Sequence, residues 1–244
     1  MVECWAKVIN GCSTRQSGEH LFSRSLFEGE MVTVQGFHWC PEPKSVGVTS
    51  LTANILCTAH NSLLSPLDSA ARETLDILGE AQRLHDARRE LKPRRFWTLK
   101  RFGVKGLPFE RWFLKTLINL FHVVGRRGRW LISETSADEP PPSLVRMAFG
   151  REPVVPPLGL YATPRVGAPV TQRGFFSFRP VFRVGELLAG ALFQFQGFGF
   201  LLWVCTETPP VIESVGIAQP MYHLRKIRFA IVRSPSHVVD LKWV

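Results

Sequence analysis

The chain has 244 residues, 45% of them hydrophobic and 20% charged, and a net charge of +10. That balance excludes a disordered or fibrous chain, and the length allows one large domain or two modest ones. The positive charge suits a nucleic acid or an anionic membrane surface and selects neither by itself.

Residues 1–70 read as short elements and turns, punctuated by Gly11, Gly18, Gly29, Gly36 and Pro41. A strand is expected over 31–34, ending at Gly36. A helix is expected to start at Ser65-Pro66-Leu67-Asp68. Its apolar positions, Ala71, Leu75, Leu78, Ala81 and Leu84, fall three and four apart. It should end near Glu90, because Pro93 forbids simple continuation. A second helix is expected over 108–124, with Pro108 in its first turn and Gly125 past its end. Its Trp112, Leu114, Leu117, Ile118 and Phe121 would pack on the first helix.

Between Asp86 and Arg129 lie thirteen Lys and Arg residues against three acids, an excess equal to the charge of the whole chain. Residues 134–157 are rich in proline and acid and read as a linker, with one helical turn at 143–149. From 158 onward the pattern is β, with runs at 158–163, 174–182, 187–196, 198–206 and 225–233. The apolar stretch 187–204 raises the question of a membrane span. Gln194, Gln196 and its glycines interrupt it, and Phe193, Phe195 and Phe198 recur at strand-like spacing, so a buried hairpin is expected instead. The organisation expected is α+β: a module over 1–70, a basic helical segment over 71–133, the linker, and a β-rich domain over 158–244.

Five cysteines, an odd number, and the lack of an apolar leader point to a reduced, cytoplasmic setting rather than a disulfide framework. Two stretches carry candidate chemistry: Ser17-Gly18-Glu19-His20 and Asn54-Ile55-Leu56-Cys57-Thr58-Ala59-His60-Asn61. Phosphodiester hydrolysis needs a water, a group to take its proton, and positive charge near the leaving oxygen. His20 titrates in the right range for the base. Glu19 and Asn61 offer hard oxygens of the kind Mg²⁺ accepts. The bland alternatives are a solvated turn pair for Glu19 and His20, a core thiol and a helix-start imidazole for Cys57 and His60, and a helix cap for Asn61.

Together the two stretches resemble the halves of an HNH (ββα-metal) endonuclease site, over residues 4–69. The resemblance implies that His20 activates water, that Glu19 and Asn61 hold a catalytic Mg²⁺ or Mn²⁺, and that Asn54 steadies the loop. It also implies a structural Zn²⁺ on a knuckle. Cys57 and His60 would form one pair, and Cys4 and Cys12, with seven residues between them, an unusually wide other pair. Cys40 is an alternative thiol. Such nucleases are found in bacterial mobile elements and antiviral defence systems.

The basic residues Arg94, Arg95, Lys100, Arg101, Lys105, Arg126, Arg127 and Arg129 alternate with Phe96, Trp97 and Phe102. That interleaving suits backbone contact plus stacking on a nucleic acid, double-stranded DNA foremost, with no membrane partner. A second reading is a zinc-stabilised nucleic-acid-binding or scaffold subunit whose cleavage has lapsed. In either, the aromatic runs of the β-rich half would offer a protein partner a surface.

Overall fold

The structure is a computed structural model that describes residues 3–36, 40–90, 99–124, 129–130, 139–162, 175–183, 187–195, 197–209, 213–214, 217–218, 222–224, 233–234 and 237–243. In chain order these hold β1 (Gln16–His20), β2 (Met31–Gln35), β3 (Lys44–Gly47), β4 (Thr52–Cys57), α1 (Thr58–Glu90), β5 (Lys100–Lys105), α2 (Gly106–Val124), β6 (Arg129–Trp130) and α3 (Pro142–Ala148). There follow β7 (Gly159–Ala162), β8 (Phe175–Arg183), β9 (Leu187–Phe195), β10 (Phe198–Trp203), β11 (Glu213–Ser214), β12 (Ile217–Ala218), β13 (Tyr222–His223), β14 (Arg233–Ser234) and β15 (His237–Lys242). The fold is mixed α+β and sheet-rich toward the C-terminal end.

The large sheet runs in the order β13-β7-β10-β9-β8-β2-β3, with β6 beside β9. Its centre is the expected hairpin: β9 and β10 pair antiparallel, Phe198 opposite Phe195. Alternation explains the burial. Phe193 and Phe195 point inward while Gln194 between them is exposed. α2 covers that inner face ring against ring: Phe109 meets Phe200 at 5.5 Å, Phe113 meets Phe193 at 5.0 Å and Trp112 meets Phe195 at 5.5 Å. Stretch 187–204 is therefore satisfied as a sheet, and no helix among the described residues is long and apolar enough to cross a membrane.

The opposite face of α2 meets α1. Ala71, Leu75, Leu78 and Ala81 are all buried, as are Leu114, Leu117, Ile118 and Phe121. The faces expected for this helix pair hold except at Trp112, expected to pack on α1, whose ring meets the sheet at Phe195; the start of α1 also differs. α1 begins at Thr58, not at Ser65, and passes through Pro66. Its opening is held from outside the helix. The Thr58 N–H bonds the Arg15 carbonyl at 3.0 Å, and the Ala59 N–H bonds the Ser13 hydroxyl at 3.3 Å. These bonds satisfy donors that a helix start leaves open, so Pro66 loses its role as a starting signal.

Two features join regions that the sequence reading separates. β2 lies parallel to β8, with Val34 opposite Phe176, so the N-terminal hairpin extends the C-terminal sheet. The Pro-rich stretch 134–157 contains α3, whose Leu144, Val145 and Ala148 are buried in the common core. The expected run 225–233 lies almost wholly outside the described residues.

The junction after β2 depends on Gly36. Its φ is +92° and an added Cβ would stand 1.8 Å from the Phe178 carbonyl oxygen. Only glycine tolerates both the left-handed backbone and this approach. Gly36→Ala should cost about 2–4 kcal/mol, which for a chain of this length lowers the melting temperature by roughly 5–15 °C. An unchanged thermal melt would refute the β2–β8 junction.

Candidate metal centre and the buried network beside it

Four side chains from three places in the chain converge: Cys4, Cys12, Cys57 and His60, whose ligand atoms all lie within 4.8 Å of one another. Cys57 ends β4, and His60, three residues on, lies in the first turn of α1, where that spacing sets both on one side. The wide Cys4–Cys12 interval is taken up by a 3₁₀ turn over Lys7–Ile9 and then by two left-handed residues, Asn10 (φ 59°) and Gly11 (φ +83°). These reverse the chain and bring the second thiol back to the first.

The spacing suits one tetrahedral ion. His60 Nδ1 lies 3.3 Å from Cys4 Sγ, 3.6 Å from Cys12 Sγ and 3.4 Å from Cys57 Sγ. Zinc–sulfur and zinc–nitrogen bonds of ordinary length give a tetrahedral S···N edge of about 3.5 Å. On the far side of the ring, Nε2 stands 2.9 Å from the Asn10 carbonyl oxygen. A carbonyl can only accept, so Nε2 carries the proton and Nδ1 presents its lone pair to the cluster. The Phe149 ring meets His60 edge-on at 5.5 Å and Trp5 at 5.9 Å, so the segment following α3 closes over the site. Cys4, Cys57 and His60 are buried and Cys12 is exposed.

The thiols are not alike. Burial opposes the Cys57 thiolate, but the backbone N–H groups of His60 and Ser13 bond its sulfur, and the balance brings its pKa down to about 6. Burial pushes Cys4 up to about 12, and burial also raises Cys12. A Cys₃His set with a fixed imidazole tautomer is compatible with a structural zinc-like ion. Cys40 is not part of it: its Sγ bonds the carbonyls of Val34 and Glu42 at 3.4 and 3.1 Å.

A second cluster lies at the end of β1. Glu19 is only 3% exposed, and its Oε1 takes the Lys115 ammonium at 2.7 Å. Lys115, also 3% exposed, donates as well to both Asp68 oxygens at 2.9 Å. Asn119, one turn along α2, gives its Nδ2 to Glu19 Oε1 at 3.3 Å and to the His20 carbonyl at 3.4 Å. Its Oδ1 accepts from Trp5 Nε1 at 3.0 Å, tying this network to the metal loop. Ser23 donates to Asp68 and accepts from Trp112 Nε1 at 2.7 Å. Burial raises the Glu19 pKa, with Lys115 pulling against it.

The expected site residues are placed as follows. His20 is half-buried beside Glu19, and its Nδ1 is buried with no hydrogen-bond partner among the described residues. Burial lowers its pKa, and the Arg24 charge adds to that. Asn61, in the first turns of α1, donates to Ser17 Oγ at 2.7 Å; no hydrogen bond joins it to Glu19 or His20. Asn54 is exposed on β4. Arg101 and Lys105 lie on the exposed face of β5; Lys100, exposed at the strand's start on the side of Phe102, pairs with Glu80 at 2.7 Å. Arg94, Arg95, Arg126 and Arg127 lie outside the described residues, as does the side chain of Arg129.

Sequence reasoning passed over Asp68, Lys115 and Asn119. A signal existed: Lys115 and Asn119 stand four apart on the apolar face of α2, among Phe113, Leu114, Leu117 and Ile118, where an unpaired lysine would be costly. No family model, curated protein or solved structure matches the chain.

Purified protein should carry about one zinc per chain, as a closed four-ligand site demands. Cys57→Ser should abolish that zinc and cost on the order of 5 kcal/mol, lowering the melting temperature by roughly 10–20 °C. Binding must displace protons from Cys4 and Cys12, so zinc affinity should fall as pH falls. Metal analysis and chelator titration at several pH values check both; the three site thiols titrating freely with no zinc bound would exclude the site.

Proposed function

We propose that the chain is an HNH-type endonuclease that hydrolyses nucleic-acid phosphodiester bonds, with His20 as general base and double-stranded DNA as the substrate class. The observation that carries this is His20 Nδ1, unpartnered among the described residues, on a strand whose partner β4 leads through Cys57 and His60 into α1. A buried polar nitrogen left without a bond costs about 1–3 kcal/mol, and such an atom calls for a partner that the described residues do not supply. In this reading that partner is a water. Its proton passes to His20 Nδ1, its oxygen bonds phosphorus, and the phosphorus–O3′ bond breaks as the leaving oxygen takes a proton from solvent. Cys4, Cys12, Cys57 and His60, holding zinc, supply a structural cross-link and no chemistry.

Arg24, exposed four residues after His20, adds positive charge suited to a phosphate. Arg101 and Lys105 give exposed cations on β5 for further backbone contact, with Arg94, Arg95, Arg126, Arg127 and Arg129 extending that role in the sequence; Lys100 is held by Glu80 instead. The resemblance adds Mg²⁺ or Mn²⁺ on Glu19 and Asn61. As folded, Glu19 is engaged by Lys115 and Asn119, and Asn61 by Ser17. This residue pair does not fit a shared divalent cation, and no step is drawn through one.

That same engagement of Glu19 favours a second reading: a zinc-stabilised nucleic-acid-binding or scaffold subunit in which cleavage has lapsed, its sheet-rich half offering a protein partner a surface.

His20→Ala should lower the nicking of plasmid DNA by about 10²–10⁴-fold and leave zinc content, DNA binding and the thermal melt unchanged. Because burial and Arg24 lower the His20 pKa, its base form persists to more acidic pH than usual. The acid limb of the cleavage rate should therefore lie below the ordinary histidine value of about 6.5. Wild-type protein that leaves DNA intact with Mg²⁺, with Mn²⁺ and with partner proteins would decide for the second reading.

A further inference from the structure

An HNH-like site sets an acid beside the histidine to hold a divalent cation. In this chain that acid, Glu19, already holds a cation that belongs to the protein. We infer that the Lys115 ammonium is the resident cation of the Glu19–Asp68 pair, standing where a hard divalent ion would otherwise be shared by the two carboxylates. The inference deepens the nuclease reading and rests on it only for its catalytic consequence.

The geometry is that of a filled cation site. One nitrogen touches Glu19 Oε1 at 2.7 Å and both Asp68 oxygens at 2.9 Å. A protonated lysine has three N–H donors, and three acceptor oxygens are present. Asp68 grips in the two-oxygen fashion with which carboxylates also hold Ca²⁺. The burial is equally telling. Lys115 and Glu19 are each 3% exposed, where an ammonium is retained only if its partners offset its desolvation. Two carboxylates around one ammonium leave the group one negative charge in excess. Without Lys115 the buried Glu19 and the quarter-exposed Asp68 would repel each other and draw in a cation from solution.

Lys115 is thus a positioning residue: it ties Glu19, next to His20 on β1, to Asp68 on α1. Asn119 continues the same role by holding the His20 carbonyl. A hydrated Mg²⁺ carried by Glu19 would have to displace an ammonium tethered to a buried helix.

The test is Mn²⁺ binding to zinc-loaded protein, followed by the loss of the free-ion paramagnetic resonance signal, counting only binding that Glu19→Gln removes. Wild-type protein should show none. Lys115→Met and Lys115→Gln should each gain one Mn²⁺, with an affinity at least about tenfold above the detection limit that bounds wild type, and lose it again when Glu19→Gln is added; tenfold corresponds to about 1.4 kcal/mol. Glu19-dependent Mn²⁺ binding by the wild-type protein overturns the inference. So does a folded Lys115 variant, by circular dichroism and zinc content, that gains no ion. If neither variant folds, the wild-type titration decides alone: no Glu19-dependent site supports the inference and such a site refutes it. DNA cleavage is a separate readout. A protein that never cuts DNA removes the nuclease reading and leaves the Mn²⁺ result to judge Lys115.

Discussion

The N-terminal architecture depends on one constraint: two thiols, a third thiol and an imidazole, up to 56 residues apart along the chain, meet within 4.8 Å. The loop that carries Cys4 and Cys12 buries few side chains of its own, chiefly Trp5, Ala6 and Ile9. A segment with so little apolar mass gains most from a cross-link, which an ion on these four ligands would supply. The neighbouring elements are arranged around that cluster. Ser13 and Arg15, just past Cys12, satisfy the first N–H groups of α1, and β1 begins immediately after. Phe149 closes the site from above. The metal loop, the β1–β4 pair and the start of α1 are therefore one mechanical unit.

The unit shares the apolar core of the rest of the molecule, and a polar network is set within that contact. α2 buries aromatic rings against the large sheet, yet toward β1 it presents Lys115 and Asn119. Asn119 is fully satisfied there, accepting from Trp5 on the metal loop and donating to Glu19 and the His20 carbonyl. Removing one member of a buried ion pair costs about 3–5 kcal/mol, because the partner's charge is left behind. Well-packed apolar residues would hold the elements at least as firmly. What the polar arrangement adds is direction: an apolar contact leaves a strand end free to slide, whereas three defined donors on two carboxylates do not.

Periodicity made much of the fold legible in advance. The faces of α1 and α2 follow from spacings of three and four, and the β9–β10 hairpin from alternating phenylalanines. The metal ligands were legible as residue types, although only the left-handed Asn10 and Gly11 explain how Cys12 returns to Cys4. The start of α1 was not legible, because the groups that satisfy it come from Ser13 and Arg15, more than forty residues earlier. The parallel pairing of β2 with β8 was equally hidden, since no local pattern specifies a partner 140 residues away. At the candidate site, Glu19 and His20 stood out as a dipeptide. Their environment did not, because it is supplied by Asp68 and Lys115 from two helices whose apolar patterns dominate the eye.

The basic segment shows why a charge count does not translate into a surface. Its excess over the acids equals the net charge of the chain, which suggests a continuous positive face. In the fold, Lys115 lies inside between two carboxylates, Lys100 is paired with Glu80 and leans over the Phe102 ring at 4.6 Å, and the Arg111 guanidinium lies against Gly150, where even a Cβ would come within 2.4 Å of it. Each of these cations is committed to a partner of its own. The cations whose heads remain in water are others, such as Arg101 and Lys105 on β5 and Arg24. Exposed charges of this kind act over about 8–10 Å at physiological ionic strength. Arg24 is near enough for its charge to lower the His20 pKa, so in the proposed nuclease reading it is an exposed cation that would act beside the base.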